Sequence, residues 1–225
     1  MYEGKRIYLW GDSIGKGVVF SPERKRYCLS GERCEKTLRE QGIWLENHAR
    51  MGATAPEGLK AFEEEGAEPG GYAVIQYGGN DCDLDWQAVS DRPGEFHDGR
   101  TPLEAFLRTL RVFAGRAREK GLMPVMVLPP PLYPERYFKW VCRGRNERAV
   151  LAYLGDVGHI GRWHALYVET IREAARETGS ALLDAYTPFL RAWNFPELMC
   201  EDGIHPSAGG QRLIAQTALA ALGRT

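Results

Sequence analysis

One serine, one histidine and two short loops of this chain have the residue types and spacing that acyl chemistry requires. Ser13 lies in Gly11-Asp12-Ser13-Ile14-Gly15-Lys16-Gly17, directly behind the apolar run Ile7-Tyr8-Leu9-Trp10. A serine hydroxyl is a weak nucleophile until a base takes its proton, and that base needs a third group to orient it. His205 is one of five histidines, and Asp202 stands three residues before it. On a turn, that spacing lets the Asp202 carboxylate accept from Nδ1–H and leaves Nε2 free for Ser13. Pro206 biases His205 away from helical backbone, as suits an extended residue ahead of a last helix.

Two other chemistries compete for the glycines around Ser13. A phosphate-binding loop needs four residues between its first glycine and the Gly-Lys pair, followed by Ser or Thr. Here only three residues separate Gly11 from Gly15-Lys16, and Gly17 takes the hydroxyl position. A dinucleotide fingerprint does not align on these glycines. The pattern G-x-S-x-G is met by Gly11 to Gly15, but the α/β-hydrolase elbow follows several earlier strands. The ten residues before Gly11 leave room for one strand.

Acyl transfer also needs preorganised donors for the developing oxyanion. The backbone N–H of Ser13, at an expected helix start, supplies one. Gly52 can supply a second, since a residue without Cβ allows close backbone approach. The side-chain amide of Asn80, in Gly78-Gly79-Asn80-Asp81, can supply a third.

The elements that must hold these residues alternate along the chain. Strands are expected at Ile7–Trp10, Ile43–Ala49, Tyr72–Tyr77, Met123–Leu128 and Ala181–Tyr186. Helices are expected at Glu32–Gln41, Pro56–Glu65, Thr101 to Gly121, His164–Thr178 and Ser207–Leu222. Thr101, Pro102 and Glu104 have the form of a capping box, and Leu103, Phe106, Leu107, Leu110 and Phe113 recur at helical spacing. Ser207 is a plausible N-cap for the last helix. Strands separated by helices of this length argue for a parallel sheet covered on both faces, in one α/β domain over residues 1–225. In such sheets ligands bind beyond the carboxyl ends of the strands, where Ser13, Gly52 and Asn80 all fall.

Taken in order, Gly11-Asp12-Ser13, Gly52, Gly78-Gly79-Asn80-Asp81 and Asp202-Gly203-Ile204-His205-Pro206 resemble the four blocks of the GDSL, or SGNH, hydrolase family. The blocks span residues 11 to 206, with the glycine block, "ARMGATA", resting mainly on one residue. The resemblance implies a flavodoxin-like, three-layer α/β/α sandwich with a mainly parallel five-stranded sheet. It also implies a serine esterase or lipase that needs no metal or cofactor. Its oxyanion roles fall on Ser13, Gly52 and Asn80, with Gly11, Asp12, Gly78 and Asp81 as supporting motif residues.

Composition narrows the partners. A net charge of −1 provides no basic footprint for nucleic acid, and no apolar run reaches the ~18–20 residues of a membrane helix. Met1-Tyr2-Glu3-Gly4-Lys5-Arg6 enters the first strand without an apolar leader, so a cytoplasmic location is expected. Five scattered cysteines form no C-x-x-C pair and read as reduced thiols; Cys82 and Cys200 flank motif residues. His159 and His164 lack partners at ligand spacing, and His48 and His97 support no specific role. Asp184 is a second carboxylate that could orient an imidazole.

Residues 129–158 form an unusually long, aromatic-rich connection expected to be irregular. Tyr133, Tyr137, Phe138 and Trp140 are either a wall or lid over the substrate, or a satellite hydrophobic cluster or dimer contact. The expected substrate is a small-molecule ester, short-acyl or an O-acetylated carbohydrate in preference to bulk lipid. Acyl transfer, lysophospholipase or thioesterase activity, and a non-catalytic binding module are the alternatives.

Overall fold

The computed structural model describes residue 4 and residues 6–223. Most of the N-terminal stretch read above as leaderless lies outside the described residues.

The chain opens with β1 (Ile7–Gly11), α1 (Ser13–Lys16) and an antiparallel hairpin of β2 (Val18–Ser21) and β3 (Arg26–Leu29). Then come α2 (Cys34–Glu40), β4 (Leu45–Asn47), α3 (Ala55–Glu64) and β5 (Tyr72–Gln76). They are followed by α4 (Trp86–Asp91), α5 (Leu103–Glu119) and β6 (Met123–Leu128). Three helices, α6 (Pro134–Val141), α7 (Glu147–Leu154) and α8 (His159–Thr178), lead to β7 (Ala181–Asp184). The chain closes with α9 (Thr187–Arg191), a 3-10 turn at Phe195–Leu198 and α10 (Ala208–Leu222).

The five-stranded sheet runs β4-β1-β5-β6-β7 with every pairing parallel. Counting only its own strands, that is the flavodoxin-like order 2-1-3-4-5, whose switch point lies between β1 and its neighbour β5. Strands this central are buried on both faces, and β1 is buried throughout. On one face Trp10, Phe62, Phe106, Leu110 and Phe113 join residues of α8 in the main core. On the other, Ile7, Leu9 and Leu45 pack with Leu38 of α2 and Leu219 and Leu222 of α10. The three-layer α/β/α expectation holds.

Three local expectations are corrected. Residues 129–158 are not irregular, because α6 and α7 fall within them. Tyr137, Phe138, Val141, Val150 and Leu154 from these helices build a second core with Trp86 and Ile160. Three consecutive prolines, Pro129 to Pro131, end β6 and hide the helical spacing that follows. The β2–β3 hairpin was not expected, since each strand has four residues and the charged turn between them looks like surface loop. Thr101 does not cap α5, which begins at Leu103. Thr101 is drawn elsewhere: its N–H donates to the Asp81 carbonyl, and its own carbonyl accepts from Tyr167 Oη. The reciprocal contact forms instead at Thr54, whose N–H and hydroxyl donate to Glu57 at 2.7 and 2.8 Å.

The turn containing Gly52 is held by α3, and α3 is held close to the sheet by Gly58. A Cβ at Gly58 would lie 2.0 Å from Tyr77 Oη, and Tyr77 is buried. Helix propensity favours Gly58→Ala by about 1 kcal/mol, whereas overpacking a buried ring costs about 1–3 kcal/mol. Gly58→Ala is therefore expected to lower the urea midpoint. A raised midpoint would show that α3 is free to shift.

Candidate active site

Ser13 is the first residue of α1, immediately past the end of β1. Its position is set by Asp12, whose Oδ1 caps α1 by accepting from Ile14 N–H at 2.8 Å. Gln76, at the end of β5, holds the same turn from the neighbouring strand. Its Oε1 accepts from Asp12 N–H at 3.2 Å and Gly15 N–H at 2.9 Å. A Cβ on Gly11 or Gly15 would stand 2.7 or 2.6 Å from that oxygen. These glycines thus make room for a glutamine, which sequence reasoning missed. The available signal was one polar residue closing an otherwise apolar strand.

His205 and Asp202 come from the loop before α10. His205 Nε2 lies 2.8 Å from Ser13 Oγ, and Nδ1 lies 2.7 Å from Asp202 Oδ2. A carboxylate only accepts, so Nδ1 carries the ring proton and Nε2 of the neutral ring accepts from the Ser13 hydroxyl. Asp202 Oδ1 accepts from the N–H groups of Ile204 and His205, both at 3.0 Å. Burial pushes the Asp202 pKa up, yet these hydrogen bonds and the His205 ring outweigh it and hold the carboxyl below its usual range. Asp184 is placed elsewhere, capping α9 through Tyr186 and Thr187.

The His205 loop rests on α6. Gly203 has φ of 73°, and a Cβ there would meet Tyr137 N at 2.4 Å and Tyr133 O at 2.7 Å. Its carbonyl accepts from Tyr133 N–H at 2.8 Å. Arg136 donates to the carbonyls of Pro196 and Met199 at 2.8 and 2.7 Å. The β2–β3 hairpin covers the other side, with the Tyr27 ring 4.9 Å from the His205 ring.

The loops after β1, β4 and β5 carry the three expected oxyanion donors, Ser13, Gly52 and Asn80. Among the described residues, the backbone N–H groups of Ser13 and Gly52 donate no hydrogen bond. Asn80 uses one of its amide protons on the Ala53 carbonyl, at 3.1 Å, which ties it to the residue after Gly52 and leaves the second proton unused. Gly52 has φ of 77° with no protein atom within 4 Å of a Cβ built there. Its backbone conformation, rather than crowding, is what calls for glycine. Asp81 binds these loops together, accepting from Ala55 N–H at 2.9 Å and from Gly78 N–H at 3.0 Å.

Of the four aromatic residues read as either a wall or a satellite cluster, the structure brings only Tyr137 to a cavity beside Asn80. That cavity, about 400 Å³, is also lined by Trp86, Tyr153, Trp163, Leu166 and Ile204. Phe138 is core, Tyr133 packs on Phe195, and Trp140 packs on Phe20 over a separate cleft containing Tyr27 and Arg143. Cys82, His97 and His159 also line the cavity, whereas His164 is buried against Tyr186 with its pKa pushed down to about 4 by burial. His48 stacks on Trp10. Among the described residues no cluster of His, Cys, Asp and Glu is placed to hold a metal.

Asp12 generates a pH prediction. Burial pushes its carboxyl from 3.8 up to about 6, against the lowering effect of the Ile14 and Gln76 hydrogen bonds. The folded state therefore holds this proton more tightly than the unfolded state does. Asp12 consequently subtracts stability as pH rises from about 4 through about 6. Asp12→Asn, which keeps an oxygen for the cap, is expected to gain stability relative to the native chain between pH 4.5 and 7 in urea titrations. A difference that stays constant across this range would contradict the assignment.

Residues 9–213 match the family model described as GDSL-like Lipase/Acylhydrolase family. The rhamnogalacturonan acetylesterase RhgT of Bacillus subtilis is 32% identical over 130 residues, covering 54% of this chain and 47% of that protein. The chain thus spans about half the length of that curated relative. Among solved structures, an α/β hydrolase from the metagenome of Lake Arreo superposes with a TM-score of 0.67 at 22% identity, covering 99% of this chain and 97% of the other. A catalytic mutant of an acetylxylan esterase from Geobacillus stearothermophilus superposes with a TM-score of 0.65 at 19% identity, with the same coverage. With nearly the whole chain inside one family model and the fold shared with these structures, the chain belongs to the GDSL-like lipase/acylhydrolase family.

Proposed function

We propose that this protein hydrolyses a small-molecule carboxylic ester through an acyl-enzyme on Ser13. The observation that carries the reading is the unbroken hydrogen-bond chain from Asp202 through His205 to Ser13, at 2.7 and 2.8 Å. Ser13 Oγ attacks the ester carbonyl carbon while His205 Nε2 takes the hydroxyl proton. The N–H groups of Ser13, Gly52 and Asn80 hold the oxyanion, and Asp202 stabilises the imidazolium. The carbon–oxygen bond to the alcohol then breaks, and Nε2 returns its proton to the leaving oxygen. Water repeats the sequence: His205 takes one of its protons, the hydroxyl adds to the acyl carbon, and the proton passes back to Ser13 Oγ as the acid departs.

The names of the two acetylesterase relatives support an O-acylated carbohydrate as the substrate class, with water rather than a second alcohol as acceptor. Ser13→Ala is expected to abolish turnover of 4-nitrophenyl esters. Asn80→Ala is expected to lower kcat by roughly 10²–10³ if its amide binds the oxyanion. An unchanged kcat with a raised KM would make Asn80 a binding group only.

A further inference from the structure

Two depressions lie near the Ser13–His205 pair, and they differ in chemistry. On the hairpin side, Tyr27 covers the His205 ring beside a cleft with Lys25, Arg26, Arg143 and Glu201 on its walls. The other, the cavity of about 400 Å³, is lined by Gly79, Asn80 and Ile204 and by residues of α4, α7 and α8. Several polar tips on its walls are engaged with each other or with backbone. Trp86 Nε1 donates to Asp83 at 2.8 Å, and Tyr137 Oη donates to the same carboxylate. Trp163 Nε1 donates to the Cys82 carbonyl at 2.7 Å, and Tyr153 Oη to the His97 carbonyl at 3.0 Å. What remains for an occupant is mainly aromatic face and aliphatic side chain.

Stereochemistry decides which half of an ester enters each depression. The leaving oxygen must face His205 Nε2, because that atom gives it a proton. The carbonyl oxygen must face the Ser13, Gly52 and Asn80 donors. The remaining substituent on the carbonyl carbon is the acyl chain, which needs space next to the oxyanion donors, and the cavity opens at one of them, Asn80. An acetyl methyl would leave most of that space to water against apolar walls, whereas cavities of ~300–1,000 Å³ commonly enclose whole small ligands.

We infer that the cavity beside Asn80 is an acyl-binding pocket for an apolar group larger than acetyl, a medium-length alkyl or an aromatic acyl. The inference rests on Ser13 being the nucleophile, as proposed above. The acyl group packs between Trp86, Tyr137, Trp163 and Ile204, with Leu166 and Phe96 at the rim, where both are substantially exposed. The alcohol lies on the hairpin side.

The test compares two ester series on the full chain. Among 4-nitrophenyl acetate, butyrate and hexanoate only the acyl group changes; between ethyl and hexyl acetate only the alcohol changes. Hydrophobic burial of about fourfold per methylene leads us to expect kcat/KM at least about tenfold higher for hexanoate than for acetate. Leu166→Trp, which fills the rim, is expected to erase most of that preference. Phe96→Ala, at an exposed rim position, is expected to weaken it severalfold and covers the case in which Leu166→Trp does not fold. Acetate turnover without a rise toward hexanoate overturns the acyl pocket and leaves the hydrolase reading standing. Rim variants that impair hexyl acetate but not hexanoate overturn it in favour of an alcohol pocket. No turnover of any ester, in folded protein, overturns the hydrolase reading and this inference together.

Discussion

The hydrogen bond between His205 and Ser13 joins residues 192 positions apart, from opposite ends of the chain. Such a contact does not form locally, and the architecture can be understood as what brings the two atoms to 2.8 Å. β1 delivers Ser13 to the carboxyl edge of the sheet at the switch point beside β5. The last loop delivers His205 to the same edge, supported from below by α6 and covered by the β2–β3 hairpin. Asp202 orients the ring from a fully buried position, where an unpaired charge would cost roughly 3–5 kcal/mol. Two backbone N–H groups and the imidazole offset that cost, so the same contacts fix the loop and the base.

A second layer of buried and half-buried carboxylates does comparable work around the oxyanion donors. Asp12 caps α1, Asp81 ties the loop after β5 to the start of α3, and Asp83 gathers Trp86 and Tyr137. Burial raises the pKa of each of the three. Each also accepts from backbone N–H groups that would otherwise be unsatisfied near the sheet edge, a loss of about 1–3 kcal/mol apiece. The motif aspartates thus hold loops in place, and Asp202 alone among them contacts the histidine.

The sequence made the fold legible because long-range order followed from simple alternation: five apolar runs separated by helical stretches yield one parallel sheet. The three residues of the Ser13, His205 and Asp202 chain were legible because their spacing matched a known chemical requirement. Gln76 was not, since one glutamine at a strand end has no distinguishing neighbour. Tyr27 was hidden by the brevity of its hairpin, whose identity depends on packing over a loop almost 180 residues later. The aromatic segment was half legible. Its composition announced a special role, but helical spacing within 129–158 was masked by prolines, and which rings face the cavity is decided by α4 and α8. Thr101 is the clearest case of tertiary context overriding a local signal, because Asp81 and Tyr167 take the backbone that a cap would have used.

The central claim is that Ser13 is a nucleophile activated by His205, and covalent trapping tests it most directly. Mass spectrometry after incubation with a fluorophosphonate is predicted to find one adduct per chain, on the peptide carrying Ser13, and a strong loss of that adduct in His205→Ala. An unmodified protein, or an adduct on another residue with Ser13 untouched, would contradict the account.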